Sequence, residues 1–468
     1  MGETESLFSV LRTTAEPRIV AAIENLVADH RDRDLVRVNA PAFAAKRGFG
    51  EGATIAAFLH AARLGLFEMS WNVLCPGCGG VLGANSSLKT VHEGLYNCSL
   101  CAAGYEPTLD EMVEVVFTVS PRVRRIAAHD PDSLPPVEYA RQMFWSSGVD
   151  LPDDLDDRIE SFTLEYLELP PGQKAVISVQ LPPGKIVVFD PVTHGAHFID
   201  VQGEPTRDRQ SLDIAYNELS APTGALTMRP GLLRISVDNQ TGRRVLPSVW
   251  ILGSGLYEIL GRRRPFLTAK RLLSNQTFRD LFRAEALDID QRLKILSLTF
   301  LFTDLKGSTA FYERVGDLSA YDLVRSHFRV LHDIVADQSG AVVKTIGDAV
   351  MATFEAPDQA LSAALRMRDG MRGLNEQRGH EDLILKIGIH EGPCLAVNLN
   401  DRQDYFGQTV NIASRVQNLA DSRAIYATEP VVAFPRSAQL LAAAGIELKP
   451  REVELRGVSE HVKIYEIP

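Results

Sequence analysis

Three short stretches toward the C-terminal end hold side chains suited to phosphate chemistry: FTDLKGST (Phe302 to Thr309), KTIGDAV (Lys344 to Val350) and DYFGQTVNIASR (Asp404 to Arg415). The first two each bring one aspartate, Asp304 and Asp348, beside a glycine or small-residue turn. Two carboxylates held together can carry a pair of divalent cations on a triphosphate. In the third stretch Asn411 and Arg415 stand four residues apart, so a helix presents both on one face. An amide and a guanidinium placed this way can steady a crowded phosphorus centre. After Asp304, the residues Gly307, Ser308 and Thr309 open a helix whose first N–H groups, with the Thr309 hydroxyl, suit phosphate oxygens.

The surrounding pattern says how these residues could meet. A strand from Leu298 to Thr303 ends at Asp304, and a helix follows with apolar positions Tyr321, Val324, Phe328, Leu331 and Val335, closing at Gly340. Next come strand Ala341–Ile346, a Gly347–Asp348 turn, strand Ala349–Phe354, a helix from Pro357, and strand Leu383–His390. The order βαββαβ is the ferredoxin-like unit, in which the first and third strands are antiparallel neighbours. That topology brings Asp304 beside Asp348 across forty-four residues of sequence. Two bare carboxylates so close repel each other, and bound cations relieve the conflict.

Upstream, the chain reads as several further domains. Residues 1–72 are helical by the spacing of Ile19, Ile23, Leu26, Ile55, Phe58 and Leu59, with RGFGEG (Arg47 to Gly52) as a turn between helices. In 73–110, Cys75 and Cys78 form one CxxC and Cys98 and Cys101 another, nineteen residues apart. Four thiolates in two knuckles suit one tetrahedral, structural Zn2+, so this is a zinc ribbon. The fifth cysteine, Cys394, is core filler. Residues 111–154 connect to a β-rich domain at 155–260, where Ala175, Ile177, Val179 and Leu181, and later Leu233, Ile235 and Val237, alternate as in an antiparallel β sandwich or barrel. A charged helical connector at 261–296 leads to the domain at 297–468.

Composition narrows the classes. At 468 residues the chain is too long for one core, and 45% hydrophobic with 23% charged residues is ordinary for a globular protein. A formal net charge of -11 argues against broad nucleic-acid binding. No run reaches the roughly 18 apolar residues of a membrane span, and MGETESLFSV lacks the apolar core of a signal peptide. The expectation is a cytoplasmic protein.

The segment from about Leu298 to Pro468 resembles the class III nucleotidyl cyclases, the adenylate and guanylate cyclases. The resemblance implies two Mg2+ or Mn2+ per active site, held by Asp304, Asp348 and the Leu305 carbonyl. It makes Lys344 and Asp404 the readers of the base, Asn411 the residue that orients the ribose, and Arg415 the one that stabilises the transition state. Arg456, in Leu-Arg-Gly, aligns with a basic residue for the terminal phosphates, although the family usually has lysine there. A further arginine would fall near Arg423, about one residue out of register. A lysine donor and an aspartate acceptor match the ring nitrogen and amino group of adenine, which points to ATP. The resemblance also implies a homodimer with sites shared across the interface. More loosely, the whole chain is similar to bacterial cyclases with a zinc-ribbon region upstream, which implies regulation by the N-terminal region through a ligand that the sequence does not name. The competing reading is a DNA- or protein-binding regulator that works through the helices and zinc ribbon and carries a silent cyclase domain.

Overall fold

Buried Ile19, Val20, Ile23, Leu26 and Val27 recur at helical spacing along one element near the N-terminus, and two further helices pack with it. The computed structural model describes residues 2–217, 225–283, 285, 287–306, 316–379, 383–420, 424–458 and 461–468. Contacts divide the chain into two units, Met1–Pro107 with Glu111–Leu267, and Thr108–Asp110 with Thr268–Pro468.

The first unit opens with α1 (Glu3–Thr14), α2 (Pro17–Asp29), α3 (Ala40–Arg47) and α4 (Glu51–Arg63). Gly48, at φ 68, ends α3, so RGFGEG is the expected turn. Helix does not continue to residue 72, because β1 (Phe67–Leu74) begins at Phe67. Its partners are β2 (Val81–Asn85) and β5 (Val113–Val119), both antiparallel. Pairing with a strand more than forty residues away decides the state of this short apolar run, and no local period announces it. Between β2 and β5 lies the small hairpin β3 (Tyr96–Cys98) and β4 (Ala103–Tyr105). Two short helices follow, α5 (Pro136–Tyr139), which runs into a single π turn at Ala140–Phe144, and α6 (Leu155–Phe162).

Next come β6 (Thr163–Tyr166), β7 (Lys174–Leu181), β8 (Gly184–Phe189), β9 (Ala196–Val201), β10 (Gln210–Tyr216), β11 (Leu226–Met228), β12 (Gly231–Asn239) and β13 (Ser248–Ile251). They form two sheets, β10-β12-β7 and β11-β9-β8-β13-β6. Val179, Leu181, Ile235 and Val237 from one sheet share a core with Ile186, Val188, Ile199 and Val249 from the other. The expected sandwich is present, but it is not wholly antiparallel: β10 with β12 and β11 with β9 run parallel. The alternation of a half-buried strand is the same in either direction. Here the chain crosses from β10 to β11 in the other sheet and back, and that crossover sets β12 parallel. The unit ends with α7 (Ser254–Gly261).

In the second unit α8 (Ala269–Leu273) and α9 (Gln276–Leu281) precede β14 (Arg292–Leu305). Helix was expected through residue 296, yet strand starts at Arg292. Leu293 and Ile295 are buried between exposed Arg292 and Lys294, a period of two. A bulge in β14 leaves Leu296 and Ser297 unpaired with β17, and their N–H groups donate to Asp110 at 2.6 and 3.4 Å. The remaining elements are α10 (Asp317–Asp337), β15 (Ala341–Ile346), β16 (Ala349–Phe354), α11 (Pro357–Arg378), β17 (Leu385–Leu399), β18 (Arg402–Phe406), α12 (Gln408–Leu419), β19 (Ile425–Thr428), α13 (Glu429–Ala433), α14 (Pro435–Ala443), β20 (Lys449–Val453) and β21 (Val462–Ile467). One sheet runs β15-β16-β14-β17-β19-β21-β20, with β18 paired to β17. Its first four strands are the expected βαββαβ unit, and β14 lies antiparallel to β16. Along α10, Leu331 and Val335 are buried and Val324 and Phe328 partly so, whereas Tyr321 is 65% exposed and outside the stripe.

Helix α12 lies flush on β17 at Gly388, where an added Cβ would stand 2.2 Å from the Gln417 amide nitrogen. Gly388→Ala should therefore lower stability by about 1–3 kcal/mol. Gly373→Ala, in open space on α11, should raise it by up to about 1 kcal/mol. Urea unfolding midpoints of the two variants check this contrast.

Candidate active site and cysteine cluster

Asp304 and Asp348 meet because three local features converge. Thr303, fully buried near the end of β14, accepts a hydrogen bond from the Val350 amide at 3.2 Å, which ties the β15–β16 turn to that strand. Gly347, at φ 63, is the first residue of the two-residue turn and leaves Asp348 at its tip. Burial, and then the charge of Asp348, push the Asp304 carboxyl above its ordinary range, while Lys386, opposite it in β17, pulls the other way. One oxygen of Asp348, Oδ2, is buried and has no hydrogen-bond partner among the described residues. Two carboxylates near enough to feel each other's charge, one with an orphaned buried oxygen, fit a hard divalent cation, and the neighbouring Leu305 carbonyl would complete an all-oxygen donor set.

His327 was not singled out from the sequence. It falls on the buried side of α10 between Leu323 and Leu331, and a polar residue on an apolar stripe is the signal that could have found it. Burial pushes its imidazole down to about 4 against the opposing pull of Asp348, so it stays neutral at pH 7 behind that carboxylate.

Lys344 and Asp404, sixty residues apart, form an ion pair at 2.5 Å, with the Asp404 side chain 8% exposed and the Lys344 side chain 39%. A bulge in β15 leaves Val343 unpaired and shifts the register at Lys344. On the other side, Asn400 and Asp401, at φ 55 and 58, make the two-residue turn from β17 to β18 that delivers Asp404. Its Oδ1 accepts from the Tyr405 amide at 2.8 Å. Arg279 of α9 joins the two sides: Nη2 donates to the Gln403 carbonyl at 2.7 Å and to the Val343 carbonyl at 3.4 Å. These are the residues just before Asp404 and Lys344. Gln276, also on α9, accepts from the Val342 amide at 2.7 Å. No local pattern announces this clamp, because its partners lie 64 and 124 residues away.

Helix α12 carries Asn411, which is exposed, and Arg415, which is partly buried. An added Cβ on Gly457 would lie 3.5 Å from Arg415 Nη1, so exposed Arg456 stands next to Arg415 in space. Among the described residues, no hydrogen bond or ion pair joins Asn411 or Arg415 to Asp304, Asp348 or Lys344. Gly307, Ser308, Thr309 and Arg423 lie outside the described residues. Cys394 is buried in β17 with its thiol pushed up to about 12 by burial, as suits a core residue.

In the first unit the four other cysteines converge. Cys75 and Cys78 follow β1, Cys98 ends β3, and Cys101 sits in the β3–β4 turn. Their sulfurs all lie within 4.8 Å of one another, with Cys75–Cys101 and Cys78–Cys98 at 3.6 Å. Sulfurs bound to tetrahedral zinc at about 2.3 Å would stand about 3.8 Å apart, so the donor set fits. Gly77 leaves room for it, since a Cβ there would come within 2.8 Å of Cys101 Sγ. Arg263 donates to the Gly77 carbonyl at 2.6 Å and caps the knuckle.

Residues 1–280 match a family of unknown function, DUF5939. Residues 292–467 match the adenylate and guanylate cyclase catalytic domain. The chain belongs to the first family and ends in a cyclase catalytic domain. Curated relatives include an adenylate cyclase of Anabaena cylindrica, 29% identical over 185 residues, which are 36% of this chain and 36% of that protein. The receptor-type adenylate cyclase GRESAG 4.1 of Trypanosoma brucei brucei is 27% identical over 36% of this chain and 16% of its own length. Guanylate cyclase 32E of Drosophila melanogaster is 28% identical over 28% of this chain and 12% of its own length. The chain thus spans about a third or less of these relatives. Among solved structures, adenylyl cyclase CyaB of P. aeruginosa is 23% identical, covers 38% of this chain and 96% of its own, and has a TM-score of 0.34.

In the second unit the Arg279 clamp has a measurable consequence. If Lys344 and Asp404 hold the nucleotide, Arg279→Ala should raise its KM by about tenfold, given about 1.5 kcal/mol for charged hydrogen bonds to the two carbonyls. The kcat should change far less, and steady-state kinetics with circular dichroism as a folding control would check the split.

Proposed function

We propose that the C-terminal unit converts ATP to 3′,5′-cyclic AMP and pyrophosphate, as a homodimer with shared active sites, under regulation by the N-terminal unit. The Lys344–Asp404 pair carries the choice of ATP. Its ammonium offers a donor to an adenine ring nitrogen, and its carboxylate accepts from the exocyclic amine. Guanine presents the opposite pattern, and a mismatched base would leave buried groups unpaired.

Asp304 and Asp348, with the Leu305 carbonyl, would hold two Mg2+ or Mn2+, which when bound offset the triphosphate charge and lower the pKa of the ribose 3′-hydroxyl. In the reaction the 3′ oxygen loses its proton and bonds to the α-phosphorus. The bond to the β-phosphate bridging oxygen breaks, and pyrophosphate leaves with the electron pair. We assign Asn411 to orienting the ribose and Arg415 to the charge that builds on the phosphorus oxygens. Arg456, beside Arg415, is assigned to the terminal phosphates, together with Gly307, Ser308 and Thr309.

Two observations support sharing of the site between protomers. Among the described residues, no hydrogen bond or ion pair joins Asn411 or Arg415 to the aspartate pair. Large apolar side chains near both pairs are also uncovered: Ile346 is 54% exposed, two residues from Asp348, and Phe406 is 65% exposed, two residues from Asp404. A covering partner would remove this apolar surface from water.

The proposal extends to one structural Zn2+ on Cys75, Cys78, Cys98 and Cys101, and to the cytoplasm, whose reducing conditions suit free thiols. Among the described residues no helix is long and apolar enough to cross a membrane.

Purified full chain given Mn2+ or Mg2+ should make cyclic AMP from ATP in preference to cyclic GMP from GTP, with Asp304→Ala as the blank. Equal turnover of GTP would reject the base assignment. Arg415→Ala should lower kcat about 10²- to 10³-fold. Asp304→Ala and Asn411→Ala chains, each inactive alone, should recover about a quarter of wild-type activity when mixed as random dimers; no recovery would reject the shared site. Metal analysis should find one zinc per chain, lost in Cys78→Ser, and a zinc-free wild-type chain would remove the metal from the account.

A further inference from the structure

We propose that a cavity in the N-terminal unit, beside the turn at Asp32–Leu35, is a binding site for a small organic phosphate. The cavity measures about 280 Å3 and adjoins a second of about 470 Å3, with Arg31, Arg33, Arg37, Lys46 and Arg264 lining both. Small-molecule sites are clefts of this order of size.

Its charge stands against that of the whole chain. The smaller cavity is lined by six cations, Arg31, Arg33, Arg37, Lys46, Arg141 and Arg264, and by two carboxylates, Asp34 and Asp153. The chain itself carries a net charge of -11. Some of the cations are matched. Arg31 lies 3.3 Å from Asp34, Arg33 and Arg141 share Glu138 at 3.4 and 3.3 Å, and Arg264 is 3.8 Å from Asp150. Among the described residues, Arg37 and Lys46 have no carboxylate within ion-pair distance. Glu114 is the buried acid whose charge reaches Arg37, but its oxygens are engaged: Oε1 accepts from Asn72 at 2.9 Å, and Oε2 accepts from the Ser147 amide and hydroxyl at 3.1 and 2.8 Å.

Arg37 is held there by the fold. It sits at φ 46, a left-handed conformation uncommon outside glycine, and its guanidinium donates to the Met143 carbonyl at 2.8 Å. Residues kept in such backbone regions concentrate at ligand clamps and switches.

Unsatisfied polar atoms supply a second, independent observation. Among the described residues, the Trp145 indole N–H is buried without a partner, on a residue 2% exposed that lines the cavity, and Gln142 Oε1 is buried likewise. Arg141 is already held, with Nε 3.3 Å from Glu138 and Nη2 3.5 Å from Asp156. Buried polar groups are nearly always paired, so the two unpartnered atoms call for a ligand. The indole N–H is a donor, which suits a phosphate oxygen, and guanidinium forks recognise phosphate in two-point fashion. Gln142 Oε1 is an acceptor, so the ligand carries a hydroxyl or amine next to its phosphate. This inference concerns binding alone and stands whether or not the C-terminal unit cyclises ATP.

Isothermal titration calorimetry of the full chain, with no added divalent metal, tests it. Glycerol phosphate is the probe, and citrate is the carboxylate control. The expected result is saturable binding of glycerol phosphate at one site per chain, weakened at least tenfold in Arg31→Glu/Lys46→Glu. Both side chains are exposed, so the variant should fold, and unchanged far-ultraviolet circular dichroism would show that it does. Arg456→Ala, at the residue assigned to the terminal phosphates of the nucleotide, should bind glycerol phosphate as wild type does, which separates this site from the cyclase domain. The proposal is overturned if glycerol phosphate gives no saturable heat up to about 10 mM, where a site of millimolar Kd would be largely filled. It is equally overturned if the double variant binds unchanged, or if citrate alone binds.

Discussion

Mutual repulsion between Asp304 and Asp348 is the constraint on which the rest of the catalytic unit depends. Bringing two carboxylates together costs free energy, and the Asp304 carboxyl is pushed above its ordinary range by burial first and by the charge of Asp348 second. The fold holds them there through Thr303, the glycine turn before Asp348 and the antiparallel pairing of β14 with β16. Such an arrangement has a physical reason if cations occupy the gap. In the proposed reading those cations prepare the ribose hydroxyl and hold the triphosphate, and every other assignment follows from where that leaves the nucleotide.

The Lys344–Asp404 pair is built by different means. Neither residue is placed by regular structure alone: one follows a bulge and the other a tight left-handed turn. Arg279 then joins the backbone ahead of both. In the proposed reading, discrimination between bases rests on where a donor and an acceptor are placed, so a clamp on the main chain matters alongside the side chains that it presents. Because α9 also precedes the catalytic strands in sequence, a displacement of that helix would reach the pair directly.

Much of the catalytic unit was legible in the sequence. Alternating and helical periods located β14, α10, β15, β16 and α11, and the βαββαβ order fixed which strands must be neighbours. What stayed hidden was set by distant partners. Arg279, His327 and Asp110 act through contacts that no local period announces, and the start of β14 at Arg292 was masked by the charged residues around it. In the other unit the two CxxC motifs predicted that four sulfurs would converge, and they do. The helical reading failed at β1, whose partner β5 lies beyond the cysteines, and the parallel pairs of the sandwich were invisible because burial alternates identically in both directions.

The most direct measurement is a Mn2+ titration of the full chain, followed by electron paramagnetic resonance, with an ATP analogue that cannot cyclise. The account predicts two bound Mn2+ for each nucleotide site, with the loss of both or of the tighter one in Asp304→Ala and Asp348→Ala alike. Retention of both ions at wild-type affinity in either variant would contradict it, because the two carboxylates would then have no cation to share.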